Sequence, residues 1–320
     1  MTFSDHPDNP CPPGLTGLQL TAADGTKLRA AFWTPPGEAR GTVMLLQGRA
    51  EAIEKYYEVV GELLRRGFAV ATMDWRGQGG SSRALADPRK GHVAHFAAYD
   101  ADLAQFVDQV VRRRCPPPFI ALAHSTGGLA MLRHARRPDS PFARIVLTAP
   151  LLGLGAMNPS TRLVGRLARL LSGLGLATAY PPGAGITRIG PRGFALNPLT
   201  GDQRRFERMI AIGKDRPDLV IGPPTIGWLD AVCRAMAEAE TPAFARAITV
   251  PVLIVTAGSD VVVRPAAAGR MAAALPRGRE IVIAESRHEI LMERDTIRAA
   301  FWTAFDDFTA DLAPARAELR

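Results

Sequence analysis

Residues 119–130 limit the possible folds of this chain more than any other stretch. They read Phe-Ile-Ala-Leu-Ala-His-Ser-Thr-Gly-Gly-Leu-Ala. The first five residues are small or apolar and predict a buried strand, whereas the residues from Gly127 onward have helical spacing. Ser125 lies between the two, flanked by small residues. The pattern therefore predicts a strand, a sharp turn that presents a serine hydroxyl, and a helix.

This layout is typical of the nucleophile elbow G-x-S-x-G, whose tight turn tolerates only very small neighbouring side chains. Ala123 replaces the first glycine, and Gly127 is the second. We interpret His124, next to the serine, as structural. The pentapeptide alone leaves open a buried strand-to-helix turn with an incidental serine, because short motifs recur by chance.

Strand-length apolar runs alternate with helical patterns on both sides of this stretch. Asp24-Gly25 separates two short alternating runs and predicts an antiparallel hairpin at the start of the sheet. Further strands are predicted at 42–47, 68–73, 144–149, 250–256 and 279–283, and helices at 53–66, 96–112, 127–136, 265–274 and 296–312. The alternation predicts an α/β fold with a mostly parallel, doubly wound sheet.

The alternation stops between residues 151 and 249, where helical segments are separated by breaks that include Pro191. We predict that 151–249 form a helical lid inserted into a core made of 17–150 and 250–320. Residues 1–16 contain four prolines and few apolar residues, and they predict a loose leader.

A serine hydroxyl attacks an ester only when a base takes its proton and an acid orients that base. Asp260 follows the predicted strand 250–256, and His288 follows the next strand and is the last of six histidines. Ser125, Asp260 and His288 all lie at carboxyl ends of parallel strands, where such sheets place their sites. Singly, Asp260 could be a turn or N-cap aspartate and His288 a surface histidine. Their joint order favours a catalytic triad.

Acyl transfer also needs donors for the developing oxyanion, usually two backbone N–H groups. We expect one from Thr126, which follows the serine, and one from Arg49, because Gly48 allows close approach after the strand 42–47. His92 and His95 follow the loop that begins at Asp74, and we expect them to hold that loop by hydrogen bonding.

These motifs resemble the α/β-hydrolase superfamily, and most of all its lysophospholipase and monoacylglycerol lipase group (serine aminopeptidase S33-like). The resemblance runs from about residue 18 to 310 and is carried by Gln47-Gly48, Asp74-Trp-Arg-Gly-Gln-Gly-Gly-Ser81, Gly91-His-Val, Ala123-His-Ser-Thr-Gly-Gly128, Gly258-Ser-Asp260 and His288. The segment Glu51-Ala-Ile-Glu-Lys-Tyr56 resembles the bacterial lysophospholipase branch.

The resemblance implies roles for particular residues: Ser125 as nucleophile, Asp260 as acid, His288 as base, and Arg49 and Thr126 as oxyanion donors. It also implies a helical lid over an acyl pocket. Residues expected to support the site structurally are Gly48, Asp74, His92, His124 and Gly127.

Two departures from the family pattern remove no catalytic atom. Many relatives have His-Gly where this chain has Gln47-Gly48, and we expect this change to alter loop geometry. Ala123 is the other departure, because it stands where a glycine is usual.

The composition of the chain limits which binding partners and which cellular compartment we expect for the protein. The net charge of +8 comes from dispersed arginines in blocks of three at most, and no nucleic-acid motif accompanies them. Arginines on solvent-exposed helix faces explain most of the positive charge. The alternative interpretation is that some of them bind an anionic membrane surface peripherally. Cys11, Cys115 and Cys233 lack metal-ligand spacing and favour free thiols in a reducing compartment. The sequence has no signal-like start and no apolar run of about 18 residues, so we expect a cytoplasmic protein. We also expect that the reaction needs no metal or organic cofactor.

The leading hypothesis is a serine hydrolase that cleaves carboxylic esters through an acyl-enzyme, with a lysophospholipid or monoacylglycerol as substrate. A small-ester carboxylesterase, an S33-like peptidase and an acyltransferase remain open, because the fold does not separate them. A non-enzymatic lipid-binding protein with a hydrolase fold is the alternative from another class. We expect most apolar lid residues, such as Leu163, Leu167 and Trp228, to pack within the lid.

Overall fold

A computed structural model describes residues 2–156, 160–184 and 193–312, so predictions that involve Met1, Pro191 or residues 313–320 lie outside the described residues. An eight-stranded sheet has the order β1-β2-β4-β3-β5-β6-β7-β8. The strands are β1 (Leu15–Thr21), β2 (Lys27–Trp33), β3 (Thr42–Leu46), β4 (Ala69–Met73), β5 (Phe119–His124), β6 (Phe142–Thr148), β7 (Val252–Ala257) and β8 (Gly278–Ile283). The pairs β1–β2 and β2–β4 are antiparallel and the other five pairs are parallel, so the predicted mostly parallel sheet is confirmed.

Helices cover both faces of the sheet. They are α1 (Tyr57–Arg65), α2 (Ala97–Phe106), α3 (Arg112–Arg114), α4 (Thr126–Ala135), α5 (Thr161–Leu171), α6 (Gln203–Asp215), α7 (Ile226–Ala239), α8 (Pro242–Arg246), α9 (Pro265–Ala274) and α10 (Asp295–Thr309). A π-helical turn, Val107–Val111, joins α2 to α3, and a 3₁₀ turn, Ile53–Tyr56, precedes α1. The predicted helices 53–66 and 96–112 therefore each change their winding along their length.

The core follows from the position of each strand in the sheet. Every residue of β3, β4, β5 and β7 is buried, because helices on both faces leave these strands no solvent side. The edge strand β8 is mostly accessible, and Val282 is 56% exposed. The continuous apolar runs in the sequence thus mark the centre of the sheet.

The predicted loose leader makes specific contacts with the core. The buried Asn9 donates its side-chain N–H to the Glu54 carbonyl over 2.6 Å, and Trp33 Nε1 donates to the Pro12 carbonyl over 3.1 Å. Phe3 lies under the Arg29 guanidinium, 5.0 Å from ring centroid to Cζ. These side-chain contacts leave no periodic trace in the sequence.

Between β6 and β7 the described residues form α5 to α8 and contain no named strand. Trp228 and Met236 are buried, as expected of residues that pack within this helical segment. Leu163 and Leu167 do not pack as expected: they are 47% and 50% exposed, whereas Ala168 on the same helix is buried. None of the helices that the structure describes combines the length and apolar character needed to cross a bilayer.

We predict that Leu45→Ala, in the centre of β3, lowers the free energy of unfolding by about 2–5 kcal/mol, because it leaves a cavity in a closely packed core. Leu45 is fully buried. Val282→Ala on β8 is the control and should change the free energy of unfolding by no more than about 0.5 kcal/mol. Urea denaturation of both variants measures the difference, and equal shifts would contradict this account of the core.

Candidate active site

Ser125 lies at the turn between β5 and α4 with a strained backbone. Its φ of 50° and ψ of −114° belong to a region that non-glycine residues rarely adopt. The Ser125 N–H donates to the Thr148 carbonyl over 3.1 Å, and the Ser125 carbonyl accepts from the Gly128 and Leu151 N–H groups. The surrounding backbone therefore holds Ser125 in a conformation that is costly elsewhere in a chain.

Close packing around the turn explains its small residues. A Cβ added to Gly127 would lie 2.6 Å from the Gln47 carbonyl oxygen, and one added to Gly128 would lie 2.9 Å from Pro150 Cβ. Both distances are shorter than real Cβ contacts. Ala123 is fully buried, and the structure accommodates its methyl group in the first position of the motif.

The structure brings Ser125, His288 and Asp260 together. His288 Nε2 lies 3.2 Å from Ser125 Oγ, and His288 Nδ1 lies 2.7 Å from Asp260 Oδ2. The carboxylate can only accept, so Nδ1 carries the imidazole proton and Nε2 is left as an acceptor for the serine. Asp260 Oδ1 accepts the N–H groups of Val262 and Val263, which fixes the carboxylate. This is the geometry of a nucleophile, a base and an orienting acid.

His124 packs its ring against His288, with 4.7 Å between ring centroids. His124 Nδ1 lies 3.1 Å from the Thr148 carbonyl oxygen and 3.2 Å from Thr148 Oγ1. Burial lowers the pKa of His124 to about 3. The ring is therefore neutral near neutral pH and places no positive charge beside His288.

The loop after β3 reaches the serine through Gly48. A Cβ added there would lie 3.2 Å from Ser125 Cβ, so a larger residue would crowd the nucleophile. The Gly48 N–H donates to Glu51 Oε2 over 2.5 Å, and the Gly48 carbonyl accepts from Gln78 Nε2 over 2.8 Å. Among the described residues, nothing accepts a hydrogen bond from the Arg49 or Thr126 N–H. Thr126 opens α4, where the first N–H groups lack intrahelical acceptors.

The Asp74 carboxylate holds the loop after β3 through hydrogen bonds. Its Oδ1 accepts from Gln47 Nε2 (2.9 Å) and from the Ile53 N–H (3.0 Å), and its Oδ2 accepts from Arg29 Nε (2.6 Å) and from the Gly80 N–H (2.7 Å). Gln47, the residue that departs from the family pattern, therefore ties the end of β3 to Asp74.

The two histidines after this loop lie elsewhere than expected. His92 Nδ1 is 2.9 Å from Thr225 Oγ1, at the N-cap of α7, so its side-chain hydrogen bond joins the core to the helical segment rather than to the Asp74 loop. His95 is exposed.

A buried ionic network that the sequence analysis missed joins two loops of the site. Lys55 Nζ lies 2.6 Å from Glu51 Oε1 and 2.7 Å from Glu289 Oε1, and Tyr56 donates its hydroxyl to Glu51 over 2.8 Å. Burial raises the pKa of Glu51, but the Lys55 ammonium outweighs this effect and brings it down to about 2. Burial raises the pKa of Glu289, the neighbour of His288. In the sequence, only the i, i+4 spacing of Glu51 and Lys55 indicates part of this network, namely the ion pair between these two residues.

Comparisons with known proteins agree with this geometry. A family model described as "Serine aminopeptidase, S33" matches residues 37–295. The chain is 35% identical over 283 residues to Lysophospholipase L2 of Escherichia coli (strain K12), covering 83% of this chain and 79% of that protein. It is 31% identical over 134 residues to Monoglyceride lipase of Homo sapiens, covering 42% of each. A soluble variant of monoglyceride lipase from Saccharomyces cerevisiae has the same fold, with a TM-score of 0.74 at 19% identity, covering 96% of this chain and 99% of that one.

The extent of the family match and the likeness to Lysophospholipase L2 show that the chain belongs to the serine aminopeptidase S33 family of α/β-hydrolases. Within that family it is an ester-cleaving serine hydrolase of the lysophospholipase and monoacylglycerol lipase type.

We predict that Lys55→Met lowers the free energy of unfolding by about 3–5 kcal/mol, because Glu51 and Glu289 then share a buried site without a counter-charge. In this variant a carboxyl pKa rises in the folded state. Stability is therefore retained at acidic pH and lost as the pH rises through that pKa. Thermal unfolding from pH 4 to pH 8 measures the effect.

The matched control is Arg65→Met, because Arg65 is 70% exposed at the side chain and lies 4.0 Å from Glu62. We expect a change of at most about 1 kcal/mol there. Combining Lys55→Met with Glu289→Gln should restore part of the loss, since one of the two carboxylates is removed. A double variant as unstable as the single one would contradict the charge argument.

Proposed function

We propose that Ser125, His288 and Asp260 form a catalytic triad that hydrolyses the acyl ester of single-chain glycerolipids, either lysophospholipids or monoacylglycerols. The observation that carries this proposal is the pair of hydrogen bonds that runs from Asp260 through His288 to a serine on a strained turn. The relatives named for lysophospholipase and monoglyceride lipase activity support the substrate class.

In the first half-reaction Ser125 Oγ attacks the ester carbonyl carbon while its proton passes to His288 Nε2, 3.2 Å away. Asp260 stabilises the resulting imidazolium through Nδ1 without taking the proton. The tetrahedral intermediate then collapses, the carbon–oxygen bond to the glycerol unit breaks, and His288 returns the proton to the departing oxygen. The acyl chain remains on Ser125 as an ester.

In the second half-reaction water replaces the alcohol. His288 Nε2 removes a proton from this water, whose oxygen attacks the acyl-enzyme carbonyl. The second tetrahedral intermediate releases the fatty acid, and the proton on His288 returns to Ser125 Oγ. Since the same histidine alternates between base and acid, these steps need a neutral imidazole at the start of each half-reaction.

The backbone N–H groups of Arg49 and Thr126 stabilise the oxyanion in both intermediates. Their lack of a hydrogen-bond partner among the described residues supports this role, because a donor already engaged would have to be released first. Gln78 and Glu51 hold the Gly48 peptide from either side and so keep the Arg49 N–H in place. We expect the described helices between β6 and β7 to act as a lid over the acyl chain.

We predict that Ser125→Ala and His288→Ala each lower kcat by at least about a thousandfold, because either change removes proton transfer to and from the nucleophile. Fatty-acid release is measured with a lysophospholipid, a monoacylglycerol and a short p-nitrophenyl ester. Thermal unfolding of each variant checks that the fold is retained. Hydrolysis of the short ester alone would favour a small-ester carboxylesterase. Unchanged lipid turnover in Ser125→Ala would refute the triad.

We further propose that α5 rests on the anionic inner face of the cytoplasmic membrane, from which single-chain lipids are drawn. Leu163, Leu167 and Leu170 are 47%, 50% and 60% exposed, and their i, i+4, i+7 spacing places them in one stripe. An arginine precedes each of these leucines, so a basic stripe runs alongside; these residues are Arg162, Arg166 and Arg169. Apolar and basic stripes on one exposed helix suit an anionic lipid surface.

We predict that the double variant Leu167→Ser and Leu170→Ser weakens binding to vesicles by about tenfold or more, because two apolar side chains no longer enter the bilayer. Co-sedimentation is measured with phosphatidylcholine vesicles, with and without phosphatidylglycerol. Leu196→Ser is the control, since Leu196 is 71% exposed but lies outside α5. Binding of the double variant equal to that of the control would exclude α5 as the membrane contact.

A further inference from the structure

The side chain of Arg49 is a half-buried cation that has no counter-charge among the described residues. Its Nη2 donates to the Gly222 carbonyl over 2.8 Å, and its Cζ lies 5.1 Å from the Trp228 ring centroid. Its Nε is buried and has no hydrogen-bond partner in the part of the chain that the structure describes. Within the described ranges no carboxylate lies within ion-pair distance of Arg49.

The arginines whose side chains are almost fully buried are paired with acids, whereas the half-buried Arg83 and Arg287, like Arg49, donate to backbone carbonyls. Arg29 contacts Glu54 and Asp74, whereas Arg205 and Arg298 both contact Glu58. Such pairing is the usual condition for burying a guanidinium, because taking an uncompensated charge out of water is costly. Burial lowers the pKa of Arg49 to about 10, so the side chain still carries its charge near neutral pH. An anion bound to Arg49 would offset this cost.

Arg49 belongs to the loop next to the nucleophile, and its side chain contacts the helical segment between β6 and β7. The preceding residue, Gly48, packs directly against Ser125 and forms the loop proposed to hold the oxyanion. Gly222 and Trp228, which contact the guanidinium, belong to the helical segment between β6 and β7. Arg49 therefore connects the loop next to the nucleophile with the segment proposed as the lid.

The two substrates of the proposed function differ in one anionic group. A lysophospholipid carries a phosphate separated from its acyl ester only by the glycerol unit, whereas a monoacylglycerol has hydroxyl groups alone. Arginine binds phosphate well, since several N–H donors of one rigid plane meet several oxygens. The unpartnered Nε–H of Arg49 is one such donor.

We propose that the Arg49 guanidinium recognises the phosphate of a lysophospholipid and so makes the enzyme prefer this substrate over a neutral monoacylglycerol. This inference rests on the proposed function, because it assigns a specificity to the same site. The phosphate supplies a negative charge to pair with the guanidinium. Arg49 holds this phosphate while Ser125 attacks the neighbouring ester.

The test compares wild type with Arg49→Gln on lysophosphatidylethanolamine and monoacylglycerol that carry the same acyl chain. We expect the ratio of kcat/KM for the phospholipid to that for the neutral lipid to fall by about tenfold to a hundredfold, the range for losing a hydrogen bond to a charged group. Any disturbance of the loop acts on both substrates and cancels in this ratio. Arg49→Lys keeps the positive charge but lacks the planar guanidinium group. We expect its kcat/KM ratio to lie between those of wild type and Arg49→Gln.

The control is Arg83→Gln. Arg83 also directs its hydrogen bonds to backbone carbonyls, those of Ser81, Pro88 and Asp218, so its loss tests whether removing any such arginine changes the ratio. We expect the wild-type ratio in this variant. An unchanged ratio in Arg49→Gln overturns the proposal, even when both rates fall, and leaves Arg49 as a structural tie to Gly222 and Trp228.

A binding measurement separates this inference from the proposed function. An ether analogue of lysophosphatidylethanolamine, which has no ester to cleave, is titrated into Ser125→Ala and into Ser125→Ala with Arg49→Gln. We expect Kd to rise by about tenfold or more in the double variant. If wild type hydrolyses neither lipid, the proposed function fails, and this titration still decides the role of Arg49: equal Kd values overturn it.

Discussion

The strained backbone of Ser125 is the constraint on which the rest of the site depends. A φ of 50° at a serine persists only because neighbouring backbone groups determine it from several sides. The Thr148 carbonyl at the end of β6 accepts from the Ser125 N–H, and the N–H groups of Leu151, after β6, and Gly128, in α4, donate to the Ser125 carbonyl. Because β6 pairs with β5, the turn needs these two parallel strands to be in register. Gly127 must be small because the β3 loop passes against it, and the same loop carries the proposed oxyanion donor.

Buried charge is arranged around this turn in two contrasting ways. Lys55 is paired: it lies between Glu51 and Glu289 and so links the loop next to Ser125 with the loop next to His288. Among the described residues, the Arg49 side chain instead contacts a carbonyl and an aromatic ring, and its Nε has no hydrogen-bond partner. Paired charges hold the loops in one geometry, whereas Arg49 is the cation that we propose to bind an anionic ligand.

Much of the site could be predicted because its members stand at strand ends, which periodicity reveals. Asp260 and His288 follow β7 and β8, and parallel strands bring their carboxyl ends to one edge. The contact between Lys55 and Glu289 could not be found in this way, because 234 residues separate them and no pattern couples the two positions. The bond from His92 to Thr225 and the packing of Asn9 escaped prediction for the same reason.

The sequence by itself determined the α/β class, the mostly parallel sheet, the turn at Ser125 and the order of serine, acid and base, because apolar periodicity and small residues act locally along the chain. The tertiary structure alone decided which side chains that are distant in sequence contact each other. It joined the N-terminal residues to the core, exposed the leucines of α5, buried the network around Lys55 and left Arg49 without an acid among the described residues. Those outcomes depend on how helices and loops pack over the sheet, and packing is a property of the whole chain rather than of any one segment.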